Sequence, residues 1–110
     1  MEILETKKND FTILALDGRL DTLSSASLDS KLKDLIAKNE NKIIIDLTKL
    51  NFISSSGLRV LLTIAKNVKS GGKLALCSLQ EHVKEVFDVA GFTMLFAIFS
   101  SQQEALDSIQ

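Results

Sequence analysis

The stretch Leu50-Asn51-Phe52-Ile53-Ser54-Ser55-Ser56-Gly57-Leu58-Arg59-Val60-Leu61-Leu62 decides how this chain is read. Three serines and a glycine stand between a strand-like segment and an apolar helix. Just upstream, Ile43-Ile44-Ile45 is a continuous β-branched run closed by Asp46-Leu47. Such a run reads as a strand buried on both faces, which is how parallel sheets are written in sequence. Downstream, Leu58, Leu61, Leu62, Ala65 and Val68 form one helical stripe starting around Ser56. Lys66 and Lys69 fall in its last turn, where the helix dipole favours positive charge, and Gly71-Gly72 stops it. A strand–loop–helix unit of this kind puts the serines at the carboxyl end of the strand layer, where α/β folds meet ligands and partners. The helix start also offers free backbone N–H groups, which favour an anion.

Working outward, residues 3–7 and 11–16 read as two strands joined through Asn9-Asp10, a turn short enough to imply an antiparallel hairpin. The chain leaves the second strand through Gly18, which suits a bulge. Ser24, Ser25 and Ser27 offer N-caps for a first helix striped by Leu28, Leu32, Leu35 and Ile36, and Asn39-Glu40-Asn41 ends it. Beyond the serines, residues 74–77 form the next buried strand. A third helix over 81–90 places Val83, Val86, Phe87 and Ala90 on one face. Gly91 is its C′ residue, and Phe92 folds back on Phe87. Residues 95–99 form a last strand, and Ser100 or Ser101 caps a final helix carrying Leu106 and Ile109. The order ββαβαβαβα predicts an α/β fold: a mixed, largely parallel sheet with right-handed crossovers, packed with about four helices in one domain over 1–110.

One serine suffices as an N-cap, a contribution of about 1 kcal/mol. Gly57 complicates a purely structural reading, because glycine inside a helix costs roughly 1 kcal/mol relative to alanine. Its presence in the first turn implies the close approach of another backbone or of a partner. The residues alone leave a structural and a functional role equally open.

Composition removes several classes. Hydrophobic residues make up 45% of the 110, enough for a core and against disorder. Thirteen basic against fourteen acidic residues, with no basic stripe, argue against nucleic acid. The apolar runs are too short to span a membrane, and the first ten residues carry no signal-peptide pattern. A single cysteine, Cys77, forms no intrachain disulfide and reads as packed core, so a reducing cytoplasmic home is expected. No enzyme pattern stands out. Ser54-Ser55-Ser56-Gly57 lacks the first glycine of a nucleophile elbow. No Walker lysine follows the glycine. The single histidine, His82, reads as a solvated or capping residue at a helix start, and one histidine with one cysteine does not build a transition-metal site. No catalytic residue, metal or cofactor is expected.

Phe52-Ile53-Ser54-Ser55-Ser56-Gly57-Leu58 resembles the signature of the STAS domain, the family of sulfate-transporter domains and anti-sigma factor antagonists. Gly18-Arg19-Leu20-Asp21 resembles the element after that family's second strand. Ile44-Ile45-Asp46-Leu47 resembles its central strand, and Phe87-Asp88-Val89-Ala90-Gly91-Phe92 the end of its third helix. The resemblance implies a stand-alone antagonist that binds an anti-sigma factor, itself a serine kinase, when unphosphorylated, and so frees a sigma factor. Phosphorylation of the serine two residues before the signature glycine releases the partner, and a serine phosphatase restores it. That serine maps onto Ser55, with Ser54 and Ser56 as alternatives. Many members carry aspartate where this chain has Ser54. Asp21 matches an aspartate beside the phosphosite.

The partner surface implied is Asp21, Thr22, Ser54, Ser56, Gly57, Leu58 and Arg59 around Ser55, on a monomer, with a bulky residue at Gly57 abolishing binding and sparing the fold. Two other readings stand beside this one: an unphosphorylated STAS subunit serving as structural partner in a lipid-transport or signalling complex, and a small-ligand sensor.

Overall fold

The computed structural model describes residues 1–68 and 72–109, with Ile109 placed by its backbone alone. Lys69 and Gly71, expected at the end of the second helix, and the Ile109 side chain lie outside the described residues.

The chain begins with a hairpin. β1 (Glu2–Lys8) pairs antiparallel with β2 (Phe11–Leu20). Asn9 and Asp10 both take positive φ, 51° and 71°, as a two-residue type I′ turn requires. Then follow α1 (Thr22–Ala37), β3 (Lys42–Ile53), α2 (Ser55–Asn67), β4 (Lys73–Cys77), α3 (Glu81–Val89), a short 3-10 turn (Thr93–Leu95), β5 (Ala97–Phe99) and α4 (Gln102–Ile109). The strands lie in the order β1-β2-β3-β4-β5, and every pair but the first is parallel. β3 is the middle strand, and Ile43, Ile44 and Ile45 are fully buried, as their β-branched run implies.

Side-chain alternation along the strands divides the core in two. On one face Leu14, Leu16, Ile43, Ile45 and Leu76 meet Leu28, Leu32 and Leu35 of α1, Leu58, Leu61 and Ile64 of α2 with its C-cap Val68, and Val83 and Phe87 of α3. On the other face Phe11, Ile13, Ile44, Ala75 and Cys77 meet Ala105 and Leu106 of α4. Burial together with the nearby Asp46 carboxylate pushes the Cys77 thiol up to about 11.

β3 is longer than its sequence suggests. It does not close at Asp46-Leu47 but runs on to Ile53. Its pairing with β2 explains why the pattern is hard to see. Asp46 stands opposite Ala15 and Lys49 opposite Asp17, so three residues of β3 advance against two of β2. Leu50 stands opposite Gly18 and Phe52 opposite Arg19, again with one extra residue in β3. Each bulge shifts the alternation by one. The core-facing residues therefore run Ile43, Ile45, Leu47 and then Leu50, Ile53, at a spacing of three that belongs to no regular strand.

Other boundaries differ in similar ways. β2 passes through Gly18, at a φ of 113°, and ends at Leu20 rather than at residue 16. α1 starts at Thr22 under an Asp21 cap, not under Ser24, Ser25 or Ser27. In α2 Ile64 is buried, whereas Leu62 and Ala65 are half-buried. In α3 only Val83 and Phe87 reach the core; Val86 and Ala90 are exposed, because this nine-residue helix meets the sheet along a single i, i+4 seam. Its end is a Schellman motif: Gly91 at φ 76°, its N–H on Asp88 O at 3.1 Å, and Phe92 N–H on Phe87 O at 2.8 Å. The ring that meets Phe87 is Phe96, edge-on at 5.7 Å, and Leu95 belongs to the 3-10 turn, which leaves β5 three residues. Ser101 caps α4 through Glu104 N–H at 3.1 Å.

If the spacing of three keeps Leu50 in the core, Leu50→Ala costs about 2–5 kcal/mol, while Thr48→Ala one bulge away changes stability by less than about 1 kcal/mol. Urea titration of the two variants measures both.

Candidate functional site

Two parallel strands end side by side, and each hands over to a helix. Leu20 of β2 stands opposite Ile53 of β3. The next residues, Asp21 and Ser54, are the N-caps of α1 and α2. A backbone bond from Ser54 N–H to Leu20 O, at 2.8 Å, continues the pairing past the last side chains of the sheet. Two helix N-termini thus open at one end of the molecule, each with backbone N–H groups that no helical carbonyl can satisfy.

The caps answer part of that need. The Asp21 carboxylate accepts from Ser24 N–H at 3.0 Å, and Ser24 Oγ accepts from Asp21 N–H at 2.9 Å, a reciprocal capping box. The bonds from the Ser24 backbone and hydroxyl hold the Asp21 carboxyl below its ordinary value. On the other helix Ser54 Oγ accepts from Gly57 N–H at 3.1 Å, and Ser54 O accepts from Leu58 N–H at 3.0 Å.

The three serines occupy different situations. Ser54 is half-buried and its oxygen is engaged as the cap. Ser56 is half-buried and lines a groove between α1 and α2 with Thr22, Ser25, Arg59 and Thr63. Ser55, the first residue of α2, is exposed, and its hydroxyl makes no hydrogen bond among the described residues. Arg59 lies one turn further along the same helix face, exposed and in no ion pair among the described residues. Thr22 is exposed at the start of α1.

Gly57 and Leu58 lie beneath this surface. Gly57 is buried, and a Cβ built on it would stand 2.8 Å from Leu20 Cγ, 2.9 Å from Leu20 Cδ2 and 3.1 Å from Ile53 Cγ1. The close approach that the glycine implied is therefore internal: it seats the first turn of α2 against the ends of β2 and β3. Even a Cβ at Gly57 forces Leu20 or Ile53 to shift, which weighs against the expectation that a bulky residue there spares the fold. Leu58, 5% exposed, is core.

The structure adds Leu23, beside Thr22 in the first turn of α1 and 85% exposed. Its signal in the sequence was its phase, since it falls outside the stripe of Leu28, Leu32 and Leu35. Arg19 also stands near the site, its guanidinium 4.0 Å from the centre of the Phe52 ring. Among the described residues no group of histidine, cysteine, aspartate or glutamate could hold a metal, and no helix is long and apolar enough to cross a membrane.

The STAS domain family model matches residues 2–105. BtrV of Bordetella bronchiseptica, by name a candidate anti-sigma factor antagonist, is 35% identical over 106 residues, which cover 96% of this chain and 91% of BtrV. A crystal structure from Thermotoga maritima, described in the same terms, superposes with a TM-score of 0.92 at 26% identity, covering 97% of this chain and 93% of that one. The Bacillus protein SpoIIAA, solved in unphosphorylated and phosphorylated forms, shares the fold with a TM-score of 0.76 for each form; the identities are 18% and 20%, and the coverage is 98% and 99% of this chain against 97% and 100% of that one.

Two outcomes test the packing of the site. Gly57→Ala gains roughly 1 kcal/mol of helix propensity but loses about 1–3 kcal/mol to overpacking against Leu20, so the variant is the less stable protein. Asp21→Ala melts below wild type at neutral pH. Because the folded carboxyl titrates below its unfolded value, its stabilisation is complete above the unfolded value and fades as pH falls through the folded one. The melting gap therefore narrows in acid, as a calorimetric pH series reads directly.

Proposed function

The chain belongs to the STAS domain family, and on that premise we propose that it is an anti-sigma factor antagonist that regulates by binding and performs no catalysis. Unphosphorylated, it holds an anti-sigma factor that is also a serine kinase, and so frees a sigma factor. Phosphorylation of Ser55 releases the partner, and a serine phosphatase resets the switch. In this reading the STAS domain works as a cytoplasmic monomer with no cofactor. The observation that carries the reading is the exposed, unengaged Ser55 hydroxyl at the first position of α2, level with the Asp21 cap of α1. Family membership, the BtrV identity and the names of the relatives support it.

The docking surface in this reading is Asp21, Thr22, Ser54, Ser55, Ser56 and Arg59, with Gly57 and Leu58 as its floor. A kinase needs a hydroxyl it can reach. Ser55 offers one without breaking a bond, whereas phosphate on Ser54 would cost α2 its cap.

The effect of the phosphate follows from its charge. It adds roughly −1.5 to −2 charges at neutral pH. At a helix N-terminus such charge is favourable by about 0.3–1 kcal/mol, and a pair with Arg59 four residues on adds about 0.2–0.5 kcal/mol. The phosphorylated domain therefore stays folded. Its penalty falls at the interface, where an uncompensated charge pressed against a partner costs several kcal/mol. A partial penalty of about 3 kcal/mol already weakens binding by on the order of a hundredfold.

Ser55→Ala keeps wild-type affinity for the cognate kinase and is permanently active. Ser55→Asp keeps its melting temperature within about 5 °C and binds on the order of a hundredfold more weakly. Calorimetric titration and melting of each variant give both numbers. Tight binding by Ser55→Asp with weak binding by Ser54→Asp or Ser56→Asp moves the switch to that serine. If aspartate at none of the three weakens binding, the protein is instead a constitutive subunit.

A further inference from the structure

β3 outruns its neighbour. Its pairing with β4 ends where Asp46 stands opposite Cys77, yet it continues to Ile53 against β2 alone. Over residues 47–53 no strand among the described residues lies on the β4 side to receive its carbonyls, which leaves them to side chains or water. Two of these carbonyls are received by side chains from the start of α3. Gln80 Nε2 donates to Thr48 O at 2.9 Å, and His82 Nε2 meets Asn51 O at 2.7 Å. A carbonyl only accepts, so Nε2 of His82 carries a proton. Thr48 and Asn51 lie within the two short segments, 46–49 and 50–52, where β3 gains a residue over β2. Gln80 occupies the N-cap position of α3, yet its side chain makes no cap bond; its amide is directed across to β3 instead. His82 is correspondingly neither a cap nor merely solvated.

We infer that Gln80 and His82 are positioning residues: by gripping the carbonyl of each bulge they replace the missing strand and fix the point at which Ser54 and Ser55 leave the sheet. Both bulges are needed for Leu50 and Ile53 to face the core. Ile53 is in turn one of the two side chains against which Gly57 seats α2. Losing the grip leaves the backbone of the end of β3 paired on the β2 side only, and the serine segment then opens more readily. The functional weight of the inference rests on the proposed reading of the serines; its geometry does not.

The test measures amide hydrogen exchange by NMR in the whole protein, comparing wild type with the Gln80→Ala/His82→Ala double variant. The reporters are the amides of Ser54, Gly57 and Leu58, with the amides of residues 28–35 in α1 as the control. Each hydrogen bond lost shifts a local opening equilibrium by roughly threefold to tenfold. The expected result is acceleration at the three reporters by roughly tenfold or more, with α1 unchanged. His82→Gln, which keeps an N–H donor, exchanges more slowly at these amides than His82→Leu. Unchanged exchange at Ser54 and Gly57 overturns the inference. So does equal acceleration in α1, which would mean a general loss of stability. The measurement needs no partner, so failure of the kinase-binding reading leaves it standing, and its own failure leaves that reading untouched.

Discussion

Everything at the working end of this molecule depends on one close approach, that of the Gly57 backbone to Leu20 and Ile53. Two parallel strands must end level with each other, and the first turn of α2 must sit directly on both. A Cβ at residue 57 would stand 2.8 Å from Leu20 Cγ, too close unless something shifts. Because the approach is tight, Ser54 is held where its N–H completes the sheet and its Oγ caps the helix. Ser55 is then left pointing away from every internal partner. The exposure of one hydroxyl follows from the burial of one glycine.

Much of this was legible in the residues. A β-branched run, a hairpin turn, three apolar stripes and a glycine after the third helix suffice for the element order and for the sheet direction. The legible parts share a property: each is a local pattern whose period survives folding. The extension of β3 was not legible because its bulges change the period from two to three partway along, so Leu47, Leu50 and Ile53 look like no strand at all. The cap of α1 was hidden for another reason. Asp21 and Ser24 are comparably good N-cap residues, and their choice between capping and closing the box is made by where β2 ends.

Gly57 illustrates a limit of another kind. Its conformational permissiveness can signal a partner at the surface or a neighbour in the interior, and sequence does not distinguish them. The three-dimensional arrangement does, because Leu20 lies thirty-seven residues away along the chain and becomes a neighbour only through the parallel pairing of β2 with β3. Val86 fails in the converse way. It has the right phase for a core face, but α3 is too short and too peripheral to bury more than the seam of Val83 and Phe87.

The Cys77 thiol carries a consequence for how such a protein tolerates oxidants. A thiol reacts as its thiolate, and the buried Cys77 thiol, pushed up to about 11, leaves on the order of one molecule in ten thousand ionised at neutral pH. Met94, by contrast, is 92% exposed on the 3-10 turn, outside both core clusters. Peroxide therefore meets a thioether at the surface before it meets the thiol. Sulfoxidation there adds a polar group where water already stands, outside the packing of either core cluster.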